Sequence, residues 1–200
     1  MSNTTANRNS STQIIRIVFA AVMAAIIFVI TNFRIPLGEG KVHFANSMCL
    51  LGGLLLGPVW GGTAAGLGSA LYDFTHGYGF FEALITFVSK FAMAWVTGIL
   101  YKTWVLKKEK KDWQEDIPLL IISCALGALT YIALYMLKSW LFKMYVTPVP
   151  IETIPAVLIE KLTASAINAA FAVLTAPIFY HAVRPALKSS GILKQLEEAR

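Results

Sequence analysis

Long apolar segments, separated by short polar or glycine- and proline-rich stretches, run through most of the sequence. The first, residues 14–33, has about twenty residues, enough to cross a hydrocarbon core of about 30 Å at 1.5 Å per residue. Further apolar segments follow at residues 44–56, 59–74, 80–106, 117–145 and 154–183. The pattern predicts an all-α integral membrane bundle of six transmembrane helices, in which Gly57 and Pro58 join the second and third helices as a tight hairpin.

The two ends of the chain differ from the bundle in composition. Residues 1–13 are rich in Ser, Thr and Asn and predict a disordered cytoplasmic lead. Residues 186–200 are charged and predict a cytoplasmic tail. The six-helix membrane domain is therefore expected over residues 14–185.

The amount and the placement of charge support this assignment. Charged residues make up 14% of the chain and hydrophobic residues 56%, whereas soluble domains have about 25% charged residues. The net charge of +6 raises the alternative of nucleic-acid binding. However, the basic residues stand mostly at the ends of apolar segments, with one cluster over residues 107–111, and form no stripe interleaved with aromatic residues. This distribution predicts no nucleic-acid partner, a lipid bilayer as the surroundings, and an N-in/C-in orientation.

The sequence contains none of the motifs that would indicate an enzyme or a metal site. HExxH, GxSxG, a Walker A loop and a paired-carboxylate motif are all absent. The three histidines, His43, His76 and His181, are dispersed, and Cys49 and Cys124 lie inside apolar segments without metal-ligand spacing. We therefore expect no catalytic residues, no metal and no ATP hydrolysis by this chain.

The first helix carries small residues at a spacing of four, Ala20 with Ala24 and Ala21 with Ala25. Such faces let helices approach closely in lipid, where hydrophobicity alone does not drive association. Two interpretations stay open: packing inside the bundle, or docking of another membrane protein.

Ionisable and polar residues recur on the helices in the outer half of the membrane. Lys90 lies near mid-depth, where a lysine costs roughly 2.5–3.5 kcal/mol, so it should face a cavity or a carboxylate partner. At helical periodicity these residues form stripes that converge, which indicates either a binding site for a polar small molecule or a set of internal salt bridges. The candidate substrate-binding residues are Asp73, His76, Glu82, Lys90, Tyr131, Tyr135, Lys161, Ser165 and Asn168. The glycine- and proline-containing segment with Arg34, Lys41 and His43 is either a gate loop over this site or a plain connector.

Three stretches carry a resemblance to a known family: residues 42–58 (VHFANSMCLLGGLLLGP), 69–73 (SALYD) and 160–168 (EKLTASAIN). Over about residues 14–185 the chain resembles the substrate-binding (S) components of energy-coupling factor (ECF) transporters, in the riboflavin-transporter-like branch. The resemblance implies a partner complex of one coupling membrane subunit and two ATPase subunits, with no cofactor in this chain. It implies that the alanine face of the first helix meets the coupling subunit. It also implies a pocket among the last three helices, which maps onto Lys90, Tyr135, Lys161 and Asn168.

The expected function is therefore capture of a water-soluble vitamin at the outer face of a prokaryotic cell membrane. Buried lysines and tyrosines favour a pyridine or pyrimidine vitamin precursor, while cobalamin stays possible and would need a much larger cavity. Two alternatives stay open: an integral-membrane enzyme that uses Asp73, His76 and Lys90 on a lipid-like substrate, and a carrier that acts alone with an ion gradient.

Overall fold

A computed structural model describes residues 2–37, 40–106 and 113–198. The described residues form helices α1 (Ser2–Asn32), α2 (Ala45–Thr75), α3 (Phe80–Tyr101), α4 (Trp113–Leu141), α5 (Ile154–Ser189) and α6 (Ile192–Glu198), and strands β1 (Arg34–Leu37) and β2 (Gly40–His43). A π-helical turn follows α3 and another follows α4, and a 3-10 turn precedes α5.

The bundle contains five helices that are long and apolar enough to cross a membrane. These candidate spans are Gln13–Asn32, Ala45–Thr75, Phe80–Trp104, Ile117–Val146 and Ile151–Ser189. The all-α membrane fold is therefore found, but with five candidate spans in the described residues where the sequence predicts six. The difference arises because the predicted second and third helices belong to one broken element, α2.

α2 breaks at Gly57, whose φ of 79° and ψ of −176° are not helical. Glycine adopts this positive φ without steric cost, and Pro58 begins the next helical arm without needing an amide donor. The two arms double back on each other: the Cys49 Sγ lies 4.0 Å from the Ser69 Oγ, although twenty residues of straight helix would separate them by about 30 Å. The turn predicted at Gly57 and Pro58 is therefore present. The first arm, residues 45–56, is only about 18 Å long and does not cross a hydrocarbon core by itself.

α2 is the buried centre of the bundle because its glycines let neighbouring helices approach to backbone contact. A Cβ on Gly61 would overlap the Gly52 carbonyl in the other arm, and one on Gly53 would overlap the Ala94 carbonyl of α3. A Cβ on Gly68 would likewise overlap the Ala24 carbonyl of α1. In lipid, such close packing replaces the hydrophobic drive that holds soluble helices together.

The alanine face of α1 divides between the bundle and its surface. Ala20 is buried and Ala24 is partly buried against α2, whereas Ala21 and Ala25 are exposed. α1 also begins at Ser2, so its backbone is helical through the lead in which the sequence predicts disorder. Once the apolar segment has formed the helix, each added residue extends it without a new nucleation step.

The C-terminal segment folds back onto α1. Leu193 and Leu196 of α6 are buried, and the Arg16 side chain donates to the Leu196 carbonyl at 3.4 Å. The charged tail expected from the sequence therefore contains a short packed helix.

The segment between α1 and α2 is an antiparallel hairpin rather than an irregular loop. β1 pairs with β2 in a register that sets Arg34 opposite His43 and Ile35 opposite Val42. Among the described residues, β-strands occur only in this hairpin. It lies at the end of the bundle where α1 ends and α2 begins.

We predict that Gly53→Ala destabilises the bundle while Gly52→Ala is tolerated. The new methyl group at position 53 meets the Ala94 backbone, whereas at position 52 its nearest neighbour is the flexible Met23 side chain at 3.4 Å. Overpacking of this kind costs about 1–3 kcal/mol. Thermal unfolding in detergent checks this: a lower midpoint for Gly53→Ala alone is expected, and equal midpoints for the two variants would contradict the packing described here.

Candidate binding cavity

A polar cavity of about 240 Å³ lies between α2, α3, α4 and α5, next to β2. The sequence-predicted residues that line it are Asp73, Glu82, Lys90, Tyr131, Tyr135, Lys161, Ser165 and Asn168, with Lys41 and His43 from the hairpin segment. The stripes recognised from helical spacing therefore do converge on one space.

Two of the predicted residues lie elsewhere. His76, at the end of α2, is absent from the lining and stacks on the Tyr72 ring, with a centroid separation of 4.0 Å. Its Nδ1 lies 2.9 Å from the Tyr72 carbonyl oxygen. Arg34 also lies outside the lining and donates to the Tyr78 hydroxyl at 2.8 Å.

Other lining residues were not among the predicted site. They are Thr31, Ser69, Tyr78, Ile85, Thr86, Ser89, Lys138 and Ala164. Thr86 and Lys138 stand on the same helical stripes as Glu82 and Tyr135, so their spacing carried a signal. Tyr78 lies in a glycine-flanked turn without periodicity, and no sequence signal marked it.

The Lys90 ammonium is enclosed at the inner end of the cavity. The residue is 3% exposed, and its Nζ donates to the Asn46 Oδ1 at the start of α2. The same Nζ lies 3.7 Å from the centroid of the Tyr131 ring, close enough for a cation–π interaction. Both neighbours are uncharged, so they stabilise the ammonium without neutralising it.

The two cavity carboxylates differ in their surroundings. Glu82 forms an ion pair with Lys138, which ties α3 to α4. The Asp73 carboxylate lines the same cavity without such an ion pair among the described residues. Of the internal salt bridges that the sequence left open, those of Glu82 therefore involve Lys138 rather than Lys90.

An aromatic wall faces the charged residues. The Tyr131 and Tyr135 rings are stacked, with centroids 5.7 Å apart and planes inclined by 15°. The Lys161 Nζ lies 5.8 Å from the centroid of Tyr135. The flat faces of two parallel rings, together with ammonium groups, suit a planar polar ligand.

The hairpin is fastened over the cavity at two points. Asn168 of α5 accepts from the His43 backbone N–H at 2.8 Å and donates to the Lys41 carbonyl at 2.6 Å, so its side-chain amide holds β2 on both sides. On the other side, Arg34 and Lys41 both donate to the Tyr78 hydroxyl. These few polar bonds hold the hairpin next to the cavity; that it acts as a lid stays a prediction, which is tested below.

His43 is held neutral in this closed arrangement. Its burial, with the nearby positive charges of Lys90, Lys41 and Arg34, lowers the pKa of the imidazole to about 3. The buried Nδ1 has no hydrogen-bond partner among the described residues. The neutral imidazole therefore adds no charge to the lining of the cavity.

The ECF-type riboflavin transporter, S component, family matches residues 11–185. The chain belongs to this family. No curated protein sequence matches it. The family consists of transporter components that capture a vitamin, not of enzymes.

The described residues contain no group of three or more His, Cys, Asp or Glu side chains that could hold a metal ion.

We predict that Asn168→Ala loosens the lid. Loss of two hydrogen bonds worth about 1 kcal/mol each should raise the population of the open hairpin roughly tenfold or more. Tryptic cleavage after Lys41 measures this population when opening is fast relative to cleavage. Ser165→Ala is the matched control, since Ser165 lines the cavity one turn earlier on α5. Unchanged cleavage in Asn168→Ala would show that the amide does not hold the lid.

We predict that His43 remains neutral down to pH 5. Because its folded pKa lies below the unfolded value near 6.5, the stability contributed by the neutral ring is complete above pH 6.5 and is lost as the pH falls toward 3. Nuclear magnetic resonance of histidine-labelled protein tests this, with His43→Gln assigning the signal. A titration midpoint near 6.5 would mean that the ring is solvated.

Proposed function

We propose that the chain captures a water-soluble vitamin from outside the cell in the cavity beneath the hairpin and presents it to an ECF transport module. The observation that carries this proposal is the enclosed polar cavity around Lys90, inside a membrane bundle of an S-component family. Polar groups that converge within apolar walls are typical of small-molecule sites. Helix packing alone does not require a buried ammonium, which is costly inside a membrane protein.

The proposed orientation has both termini in the cytoplasm and the hairpin outside. α6 packs on α1, so the start of α1 and the end of α5 share one end of the bundle. Arg16, Lys102, Arg184 and Lys188 belong to this end, as expected for the cytoplasmic side of a prokaryotic cell membrane. The domain that acts as the capture unit is residues 14–185, with the lid included.

For the ligand, a flavin-type vitamin is the first to test. The description of the matched family names riboflavin as the transported vitamin. It does not support the pyridine or pyrimidine ring that the sequence favoured, or cobalamin. The stacked Tyr131 and Tyr135 rings offer a flat surface for a planar ring system. The cavity of about 240 Å³ is below the roughly 300–1,000 Å³ of typical ligand pockets, so we propose that the lid moves when the ligand enters.

Energy must come from partners under this proposal, because the sequence contains no phosphate-binding motif. The partners are one coupling membrane subunit and two ATPase subunits. The exposed pair Ala21 and Ala25 is the surface that we assign to the coupling subunit. Ala20 is buried and the Ala24 carbonyl packs against Gly68 of α2, so we assign these two alanines to packing inside the chain.

The enzyme alternative receives no support from the geometry. It requires Asp73, His76 and Lys90 to act together, but His76 lies outside the cavity against Tyr72. The carrier alternative has no observation in its favour among the described residues, whereas membership of the S-component family favours a multi-subunit transporter.

We predict that Ala21→Trp with Ala25→Trp separates capture from transport. The purified variant should bind the vitamin as tightly as the natural chain, because the substituted face lies outside the cavity. Uptake by cells that express it with the coupling module should fall at least tenfold, because two indoles prevent close helix approach. The measurements are equilibrium binding in nanodiscs and radiolabelled vitamin uptake.

The matched control is Leu174→Trp with Ile178→Trp, a pair of exposed positions at the same spacing on α5. Full uptake with the control and loss with the α1 pair supports the assigned interface. Full uptake with both would place the interface elsewhere, and uptake by the chain without any coupling module would overturn the S-component proposal itself.

A further inference from the structure

The charges that line the cavity do not balance. Four lysines line it, at positions 41, 90, 138 and 161, against the two carboxylates of Asp73 and Glu82. Glu82 and Lys138 neutralise each other as an ion pair. Even when Lys161 is not counted, the two ammonium groups of Lys41 and Lys90 outnumber the one remaining carboxylate, that of Asp73.

One of the excess cations, the Lys90 ammonium, is buried inside the bundle, where an unpaired charge is costly. Lys90 is 3% exposed, and no carboxylate of the described residues lies within 4.0 Å of its Nζ. Its hydrogen bond goes to a neutral amide, and its other close neighbour is the face of a tyrosine ring. An ammonium has three N–H donors, so the Asn46 oxygen leaves donor capacity unused.

A buried ammonium of this kind is expected to pair with a negative charge. Of the other titratable groups in the lining, His43 is neutral, and Asp73 supplies one carboxylate against the ammonium groups of Lys41 and Lys90. Lys41 of β2 adds a second ammonium to the lining, and this ammonium donates to the Tyr78 hydroxyl.

We propose that the ligand of this cavity carries an anionic group, a carboxylate or a phosphate, that pairs with Lys90. This inference rests on the proposed capture function and makes it specific: the site selects the charged form of a vitamin over its neutral counterpart. For a flavin-type ligand, the phosphorylated form is preferred over riboflavin. The anion completes the charge balance of the closed cavity, so its binding and lid closure support each other.

The test uses ligand pairs that differ mainly in charge, with the full chain in nanodiscs at pH 7. The pairs are flavin mononucleotide with riboflavin, pyridoxal phosphate with pyridoxal, and nicotinate with nicotinamide. The first two test a phosphate and the third tests a carboxylate. In the pair that binds, the anionic member is expected to bind about 10- to 100-fold more tightly, as for hydrogen bonds to a charged group.

Lys90→Met is expected to remove this preference by weakening the anionic member to the level of the neutral one. Lys143→Met, which removes a lysine outside the cavity lining, is the matched control and should keep the preference. If Lys90→Met does not fold, the ligand pairs on the natural chain still decide. Any small molecule that copurifies with the chain is identified by mass spectrometry and tested in the same way.

The outcomes separate this inference from the function on which it rests. Tight binding of riboflavin, or of another neutral compound, at least equal to that of its anionic counterpart overturns the inference and leaves vitamin capture standing. A preference that persists in Lys90→Met also overturns the assignment to Lys90. Absence of binding by every panel member, with no copurifying compound, contradicts the capture function and the inference together.

Discussion

A lysine ammonium buried within a membrane bundle is the constraint on which the rest of this structure depends. The cost of Lys90 at this depth is a few kcal/mol, and the fold offsets it with the Asn46 amide and the Tyr131 ring. Those partners come from α2 and α4, so three helices must meet around one side chain. The polar cavity lies where these helices meet, and it provides the polar environment that the remaining donors of the ammonium need.

The glycines of α2 make this meeting possible. Close contacts of Gly53 with α3 and of Gly68 with α1 pack the bundle tightly. The break at Gly57 returns the second arm toward the hairpin, so both Asn46 and Asp73 reach the same end of the molecule. Small residues thus supply the stability, which leaves larger polar and aromatic residues free to line the cavity.

The sequence predicted features that depend on local periodicity and missed those that depend on distant contacts. Glu82, Lys90, Lys161 and Asn168 were predicted because a helix repeats every 3.6 residues and brings such positions onto one face. That the Asn168 amide binds the backbone of β2, rather than pointing only at a ligand, depends on a contact across more than a hundred residues. His76 was assigned to the site because its position in the chain shows its depth but not the direction of its ring. The half-length first arm of α2 lacked a clear signal, since twelve apolar residues suit a short helix and a truncated span equally.

The most direct test of this account is an experimental structure of the chain with its bound ligand. Ligand density is expected between α3, α4 and α5, beneath the hairpin, with an anionic oxygen within hydrogen-bond distance of the Lys90 Nζ and a planar group against Tyr131 or Tyr135. Ligand density outside this cavity, or a closed cavity in which Lys90 contacts only Asn46 and Tyr131 while ligand is bound elsewhere, would contradict it.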